Sequence, residues 1–169
     1  DPPTVALIEK DRSFTQASTT LSVGGIRQQF STAENIAMSL YAARFVRDAG
    51  ILLAVGNEHP EVTFRENGYL MLASAAGEDI LRCNTALQQS MGADIALLSP
   101  DEIGIRFPWL SPAGLAAGAL GQSGEGWIDP ASLLQAFRRK VSPVRIFRWS
   151  RVAVRFSSSM PAGKFPTAR

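Results

Sequence analysis

Residues 4–8 (TVALI) form an unbroken apolar, β-favouring run that ends on Glu9, Lys10 and Asp11. A run without polar alternation marks a strand buried on both faces, as in a parallel sheet covered by helices. It restricts the chain to folds in which strands and helices are mixed. The helix signals agree. Ser31 and Glu34 stand in capping-box spacing, where each side chain would satisfy a free backbone N–H at a helix start. Ile36, Leu40, Ala43 and Val46 then recur at helical spacing, which predicts a helix over about residues 32–48 with Gly50 as its stop.

Further on, residues 62–64 and 69–73 read as two strands joined by the turn Glu66-Asn67-Gly68. Residues 76–91 read as a second helix, with Ile80, Leu87 and Met91 on one side and Gly92 ending it. Ser99-Pro100-Asp101-Glu102 is another capping box, with Pro at the first helical position, and predicts a short helix stopping near Phe107-Pro108. Residues 116–120 are expected as an edge strand, and Asp129-Pro130 as the start of a helix running through LLQAFRRK.

Composition decides what such elements can build. Of 169 residues, 46% are hydrophobic and 19% charged, enough for a buried core and unlike a disordered tail. The single cysteine, Cys83, excludes an internal disulfide. No apolar run approaches the roughly 20 residues that span a bilayer, and no basic stretch followed by an apolar one opens the chain. A soluble, unsecreted protein without a membrane span is therefore expected. The opening Asp1-Pro2-Pro3, in place of Met, reads as a cut rather than a natural start.

Charge is unevenly divided. All 15 acidic residues and eight of the 17 basic ones stand in residues 1–129, whereas residues 130–169 hold nine basic residues and no acidic one. Such a step indicates either an arm for an acidic partner or a segment foreign to the rest of the domain.

Few side chains offer chemistry of their own. His59 lies in the turn-like Asn57-Glu58-His59-Pro60 with no second His, so it reads as a surface residue rather than a metal ligand. Cys83 falls mid-helix among polar neighbours with nothing to activate a thiolate. Glu9 differs, because a carboxylate at the carboxyl end of a buried parallel strand is where dinucleotide folds hold both ribose hydroxyls. Taken alone, a solvated strand end is the simpler account of it. The glycine loop that normally precedes such a residue by about 20 positions has no room in the eight residues before Glu9. After the strand, residues 17–27 (ASTTLSVGGIR) pack small hydroxyl residues and a glycine pair, a composition that lets backbone N–H groups approach an anionic or flat cofactor. It equally suits a flexible loop.

These blocks, together with GGIRQQFS, FRENGYLML, RFPWL and GEGWIDPASLLQAFRRK, resemble the FAD-dependent oxidoreductases of the D-amino-acid oxidase superfamily. The likeness is nearest to the FAD-dependent oxidoreductase domain-containing branch beside the dimethylglycine and sarcosine dehydrogenases, and covers about residues 4–140. It implies a mixed α/β fold (α+β in part): a Rossmann-like FAD-binding domain with an inserted substrate-side β-sheet domain, truncated at both ends. Residues 1–50 would be a partial FAD-binding domain and 51–125 part of the substrate-side domain. Residues 126–140 would be the return helix, and 141–169 a basic tail outside the family pattern.

The resemblance also assigns roles. Glu9 would bind the adenosine ribose of FAD with Lys10 beside it; Ser18, Thr19 and Thr20 would follow the pyrophosphate and ribityl chain; Gly24, Gly25 and Ile26 would pass the isoalloxazine ring. Arg27 is a candidate for approach to the flavin. Leu21 stands where some relatives carry a flavin-linking His, so non-covalent FAD is expected. The implied activity is oxidation of a C–N bond in an amino acid or N-methylated amine by hydride transfer to flavin, with electrons passed to an acceptor that the sequence does not identify. The expected compartment is cytoplasmic, or mitochondrial if a transit peptide lies upstream.

Two rival readings differ in class. The first is a fold relative kept as an interaction surface. The second is a module whose basic end, with Arg145, Arg148 and Arg151 beside Phe147 and Trp149, engages nucleic acid or a membrane surface. No nucleic-acid motif is present, so nucleic acid is not the expected partner. The stop of the resemblance near Lys140 leads instead to the expectation that residues 141–169 come from a shifted frame or broken gene.

Overall fold

The computed structural model describes Asp11 and residues 13–141. The expected strand at residues 4–8, with Glu9 and Lys10, and the basic end beyond Val141 lie outside the described residues. Within them the order is β1 (Gly25–Ile26), α1 (Ala33–Arg47), α2 (Ala49–Leu52), β2 (Phe64–Arg65), β3 (Leu70–Ala73), α3 (Glu78–Ser90), β4 (Ile95–Leu98), α4 (Pro100–Arg106), β5 (Ala117–Gly121), β6 (Gly126–Ile128) and α5 (Pro130–Val141). The class is mixed α and β, as expected. Two antiparallel sheets of three strands carry the architecture, ordered β1-β6-β2 and β3-β5-β4.

The second sheet explains its own sequence. β5 (AGALG) is buried at every position and lies between β3 and β4 with registers such as Leu72↔Gly118 and Leu97↔Ala119. It was expected at an edge; the structure puts it in the centre. Both of its faces are covered. Ala119 packs with Ala93 and Ile95 against Leu81 of α3, while Leu120 packs with Leu98 and Ile103 of α4. A Cβ on Gly118 would press into the Ile103 side chain, so the small residues let a helix sit close over the strand. A third cluster joins Ala49 of α2 and Leu53, just past its end, to Ala136 of α5.

Several local expectations hold. Ser99 Oγ accepts from the Glu102 N–H, and Glu102 answers by accepting from the Ser99 N–H at 2.7 Å, the full capping box at the start of α4. Asp129 caps α5 by accepting from the N–H groups of Ala131 and Ser132 at 3.0 and 3.2 Å. Gly92, at φ 92°, follows α3.

Others are corrected. The Ser31–Glu34 box is not made: Thr32 is the N-cap of α1 and gives no side-chain cap bond, so Glu34 falls one position short of the place the box requires. Gly50 lies inside α2, and Asp48 closes α1 instead. Ile80 is 67% exposed, and α3 buries Thr85 and Gln88 on its inner face. The expected hairpin does not form, because β2 pairs with β6 and β3 with β5. The chain changes sheets at Gly68, whose N–H donates to the Glu125 carbonyl at 3.0 Å. Its φ of +75° suits glycine, and a Cβ there would collide with the Gly121 carbonyl oxygen.

Candidate flavin-contacting segment

The loop from Asp11 to Phe30 is built from local turns. The Asp11 carboxylate accepts from the Ser13 N–H at 2.9 Å and from the hydroxyls of Ser13 and Thr15. These bonds, the Ser13 hydroxyl first, lower its pKa to about 2. Phe14, at φ 59°, carries the Arg138 guanidinium 4.5 Å over its ring, so the basic turn of α5 holds the loop's start.

Ser18, Thr19 and Thr20 follow in a turn closed by Leu21 N–H to Ala17 O at 3.0 Å and Ser22 N–H to Thr19 O at 3.2 Å. Among the described residues, neither the hydroxyls nor the backbone N–H groups of Ser18, Thr19 and Thr20 meet an acceptor. That cluster of unengaged donors is the chemistry an anionic pyrophosphate needs, so the residues present fit a phosphate-bearing cofactor. Leu21 and Val23 beside them are 67% and 83% exposed.

The glycine pair has tight neighbours. Gly24, at φ +72°, lies so close to β6 and α5 that a Cβ would fall on the Ile128 carbonyl oxygen and 3.1 Å from the Pro130 ring. Its own carbonyl accepts from the Ile128 N–H at 2.9 Å. A Cβ on Gly25 would collide with the Tyr69 hydroxyl. Ile26 completes β1 opposite Gly126. The exposed Arg27 guanidinium sits 4.7 Å over the Phe30 ring, a cation–π contact.

Glu125, which sequence reasoning did not single out, fixes this segment. It is 0% exposed, yet its Oε1 accepts from the backbone N–H groups of Gln28 and Gln29 at 2.5 and 3.0 Å, and its Oε2 accepts from Gln29 Nε2 at 2.8 Å. A buried carboxyl group is tolerated where donors converge on it. Room for it comes from Gly121, where a Cβ would strike the carboxyl group. Next to it, the Gly124 N–H donates to Glu66 at 2.6 Å, and Glu66 pairs with Arg47 of α1. The Arg47 guanidinium, then the Gly124 N–H, hold the Glu66 carboxyl below its ordinary value. The available signal was an acidic residue between two glycines, Gly124-Glu125-Gly126.

Other candidates stand apart. His59 is exposed with its Nδ1 3.0 Å from the Gly50 carbonyl, and Cys83 is exposed on α3. A groove of about 430 Å³ runs along α5 past Glu61, Asp129 and Arg139, and a smaller one of about 180 Å³ lies between Arg44, Asp94 and Gln28. Neither includes residues 18–27. No helix among the described residues is long and apolar enough to cross a membrane.

Free donors stand at Ser18–Thr20, and the buried Glu125 carboxyl group holds the backbone just past the glycine pair. Residues 2–153 match the family described as DAO, FAD dependent oxidoreductase, and the chain belongs to that family. The match runs past Lys140. Among its relatives, the chain is 41% identical over 156 residues to FAD-dependent oxidoreductase domain-containing protein 1 of Bos taurus, covering 92% of this chain and 32% of that protein. It is 42% identical over 156 residues to the Xenopus laevis protein of the same name, with 92% and 31% covered. The chain thus spans about a third of the length of these relatives. Among solved structures, it resembles L-proline dehydrogenase from P. horikoshii with a TM-score of 0.60 at 24% identity, over 73% of this chain and 31% of that one. At that identity the likeness establishes the fold.

Proposed function

We propose that this chain supplies the flavin-contacting part of an oxidoreductase that oxidises the C–N bond of an amino acid or N-methylated amine. The observation that carries the reading is the turn of unengaged donors at Ser18, Thr19 and Thr20, which precedes Gly24–Ile26 in a chain of the FAD family. When bound, FAD supplies the hydride-accepting chemistry, and the protein supplies binding and orientation.

In this reading, the Ser18–Thr20 hydroxyls and N–H groups bind the pyrophosphate and ribityl chain. Gly24, Gly25 and Ile26 border the ring, and Glu9 and Lys10 serve the adenosine ribose. Leu21 leaves no nucleophile for a covalent link at its position, so the cofactor is held non-covalently. The exposed Leu21 and Val23 would be covered by cofactor or by further protein and so help to exclude water. The P. horikoshii likeness bears the name of a dehydrogenase of an amino acid, and the amine class proposed here accords with that name. No described side chain is assigned as a catalytic base.

Equilibrium dialysis with FAD, followed by the visible flavin spectrum of the retained protein, tests the reading. Retention of FAD that is lost when Ser18, Thr19 and Thr20 are together changed to Ala supports it. Equal retention by the triple variant would remove the donor turn from the site.

A further inference from the structure

β6 places Trp127 between two open neighbours. Its register sets Trp127 directly opposite Gly25 of β1 on one side and Arg65 of β2 on the other. Residues directly opposed across antiparallel strands project to the same face, so Gly25, Trp127 and Arg65 form one row across the sheet. The Tyr69 hydroxyl belongs to the same face, because it occupies the position toward which a Gly25 side chain would point. Gly25 and Arg65 are exposed, Trp127 is 41% exposed, and Tyr69 is half-buried.

The row is chemically unspent. Among the described residues, the Tyr69 hydroxyl, the Trp127 indole N–H and the Arg65 guanidinium make no hydrogen bond or ion pair. Nearby basic groups are engaged otherwise: Arg47 with Glu66, and Arg27 over Phe30. Tyrosine and tryptophan side chains combine a flat apolar body with a polar tip, and a guanidinium adds planar donors. Bare Gly25 makes room for the Tyr69 hydroxyl over the strand, beside Trp127.

We infer that this row, Tyr69–Trp127–Arg65, is a ligand-contacting platform for the isoalloxazine ring. The inference rests on the reading that Gly24–Ile26 border the flavin. The match in chemistry is specific: the indole face suits a flat, electron-poor ring, while the phenol and guanidinium donate toward the carbonyl oxygens on one edge of that ring. The indole face supplies what a bare phosphate could not use, a stacking surface for a flat ring. Trp127 is a contact residue here and takes no part in bond making.

Titrating the intrinsic fluorescence of the purified chain with FAD, riboflavin and ADP tests it, since riboflavin has the ring without the pyrophosphate and ADP the reverse. FAD and riboflavin are expected to quench, with the Trp127 share of the quench absent from W127F. ADP should leave the fluorescence unchanged. Y69F and R65Q should each weaken riboflavin binding several-fold, up to about tenfold. Because Arg65 is exposed, R65Q keeps the test open even if another variant folds poorly, and far-UV circular dichroism checks each one. Wild-type FAD binding with the same quench in W127F, and unchanged riboflavin affinity in Y69F and R65Q, overturns the platform and leaves the donor-turn reading intact. Failure of the wild type to bind either FAD or riboflavin overturns both.

Discussion

Replacing Glu125 removes the group on which three donors converge. In Glu125→Ala, the N–H groups of Gln28 and Gln29 and the Gln29 amide lose their acceptor inside a site with no exposed surface on Glu125. Each stranded donor costs about 1–3 kcal/mol, partly relieved if water enters the space the side chain vacates. A net loss of about 3–5 kcal/mol follows, or a fall in melting temperature of about 6–20 °C for a chain of this size. Glu125→Gln should cost less, about 1–3 kcal/mol. Its amide oxygen can still accept from both backbone N–H groups, while its NH2 is left facing the Gln29 amide. Urea unfolding of wild type and both variants, monitored by circular dichroism, measures the series. Ala costing under about 1 kcal/mol, or Gln costing more than Ala, would refute the claim that the carboxyl group organises residues 28–29.

Gly121→Ala pushes a Cβ into the same carboxyl group and should cost about 1–3 kcal/mol by overpacking, read from the same unfolding curves. Ser99→Ala breaks the capping box of α4 and should cost about 1 kcal/mol, visible as a small fall in melting temperature. Glu66 has its carboxyl held below an ordinary value of 4.5 by Arg47 and Gly124. Its contribution is therefore fully present above pH 4.5 and lost as pH falls through the lowered folded-state value. The pair is partly exposed, so the contribution is at most about 1 kcal/mol. Stability curves of wild type and Glu66→Gln should converge in acid, and a gap that widens there would contradict the assignment.

What could be read from the sequence was local. Ser99 and Glu102 are three residues apart and cap α4 as their spacing requires; Asp129 caps α5 for the same reason. The donor-rich turn at Ser18–Thr20 was visible as composition, although its free donors were not. What escaped depends on distant partners. β4 is four apolar residues with no alternation, and β6 is three residues whose only reason to be extended is pairing with β1 and β2. β5 was seen as a strand, but its central place comes from pairing with β3 on one edge and β4 on the other. The Gly24-Gly25 pair, expected beside a ring, also lies against Ile128, Pro130 and Tyr69, contacts that no spacing encodes.

The bond from Glu125 to the Gln28 N–H joins residues 97 apart in sequence. During synthesis from the N-terminus, residues 28–29 therefore leave the ribosome well before their acceptor exists. At about 5–20 residues per second, the interval is on the order of 5–20 s. Over that time residues 28–29 lack this acceptor, and closing so long a loop precedes any reward from the contact. The setting of residues 28–29 in a nascent chain is thus timed by the arrival of Glu125, and a stall before it would leave their N–H groups without this acceptor.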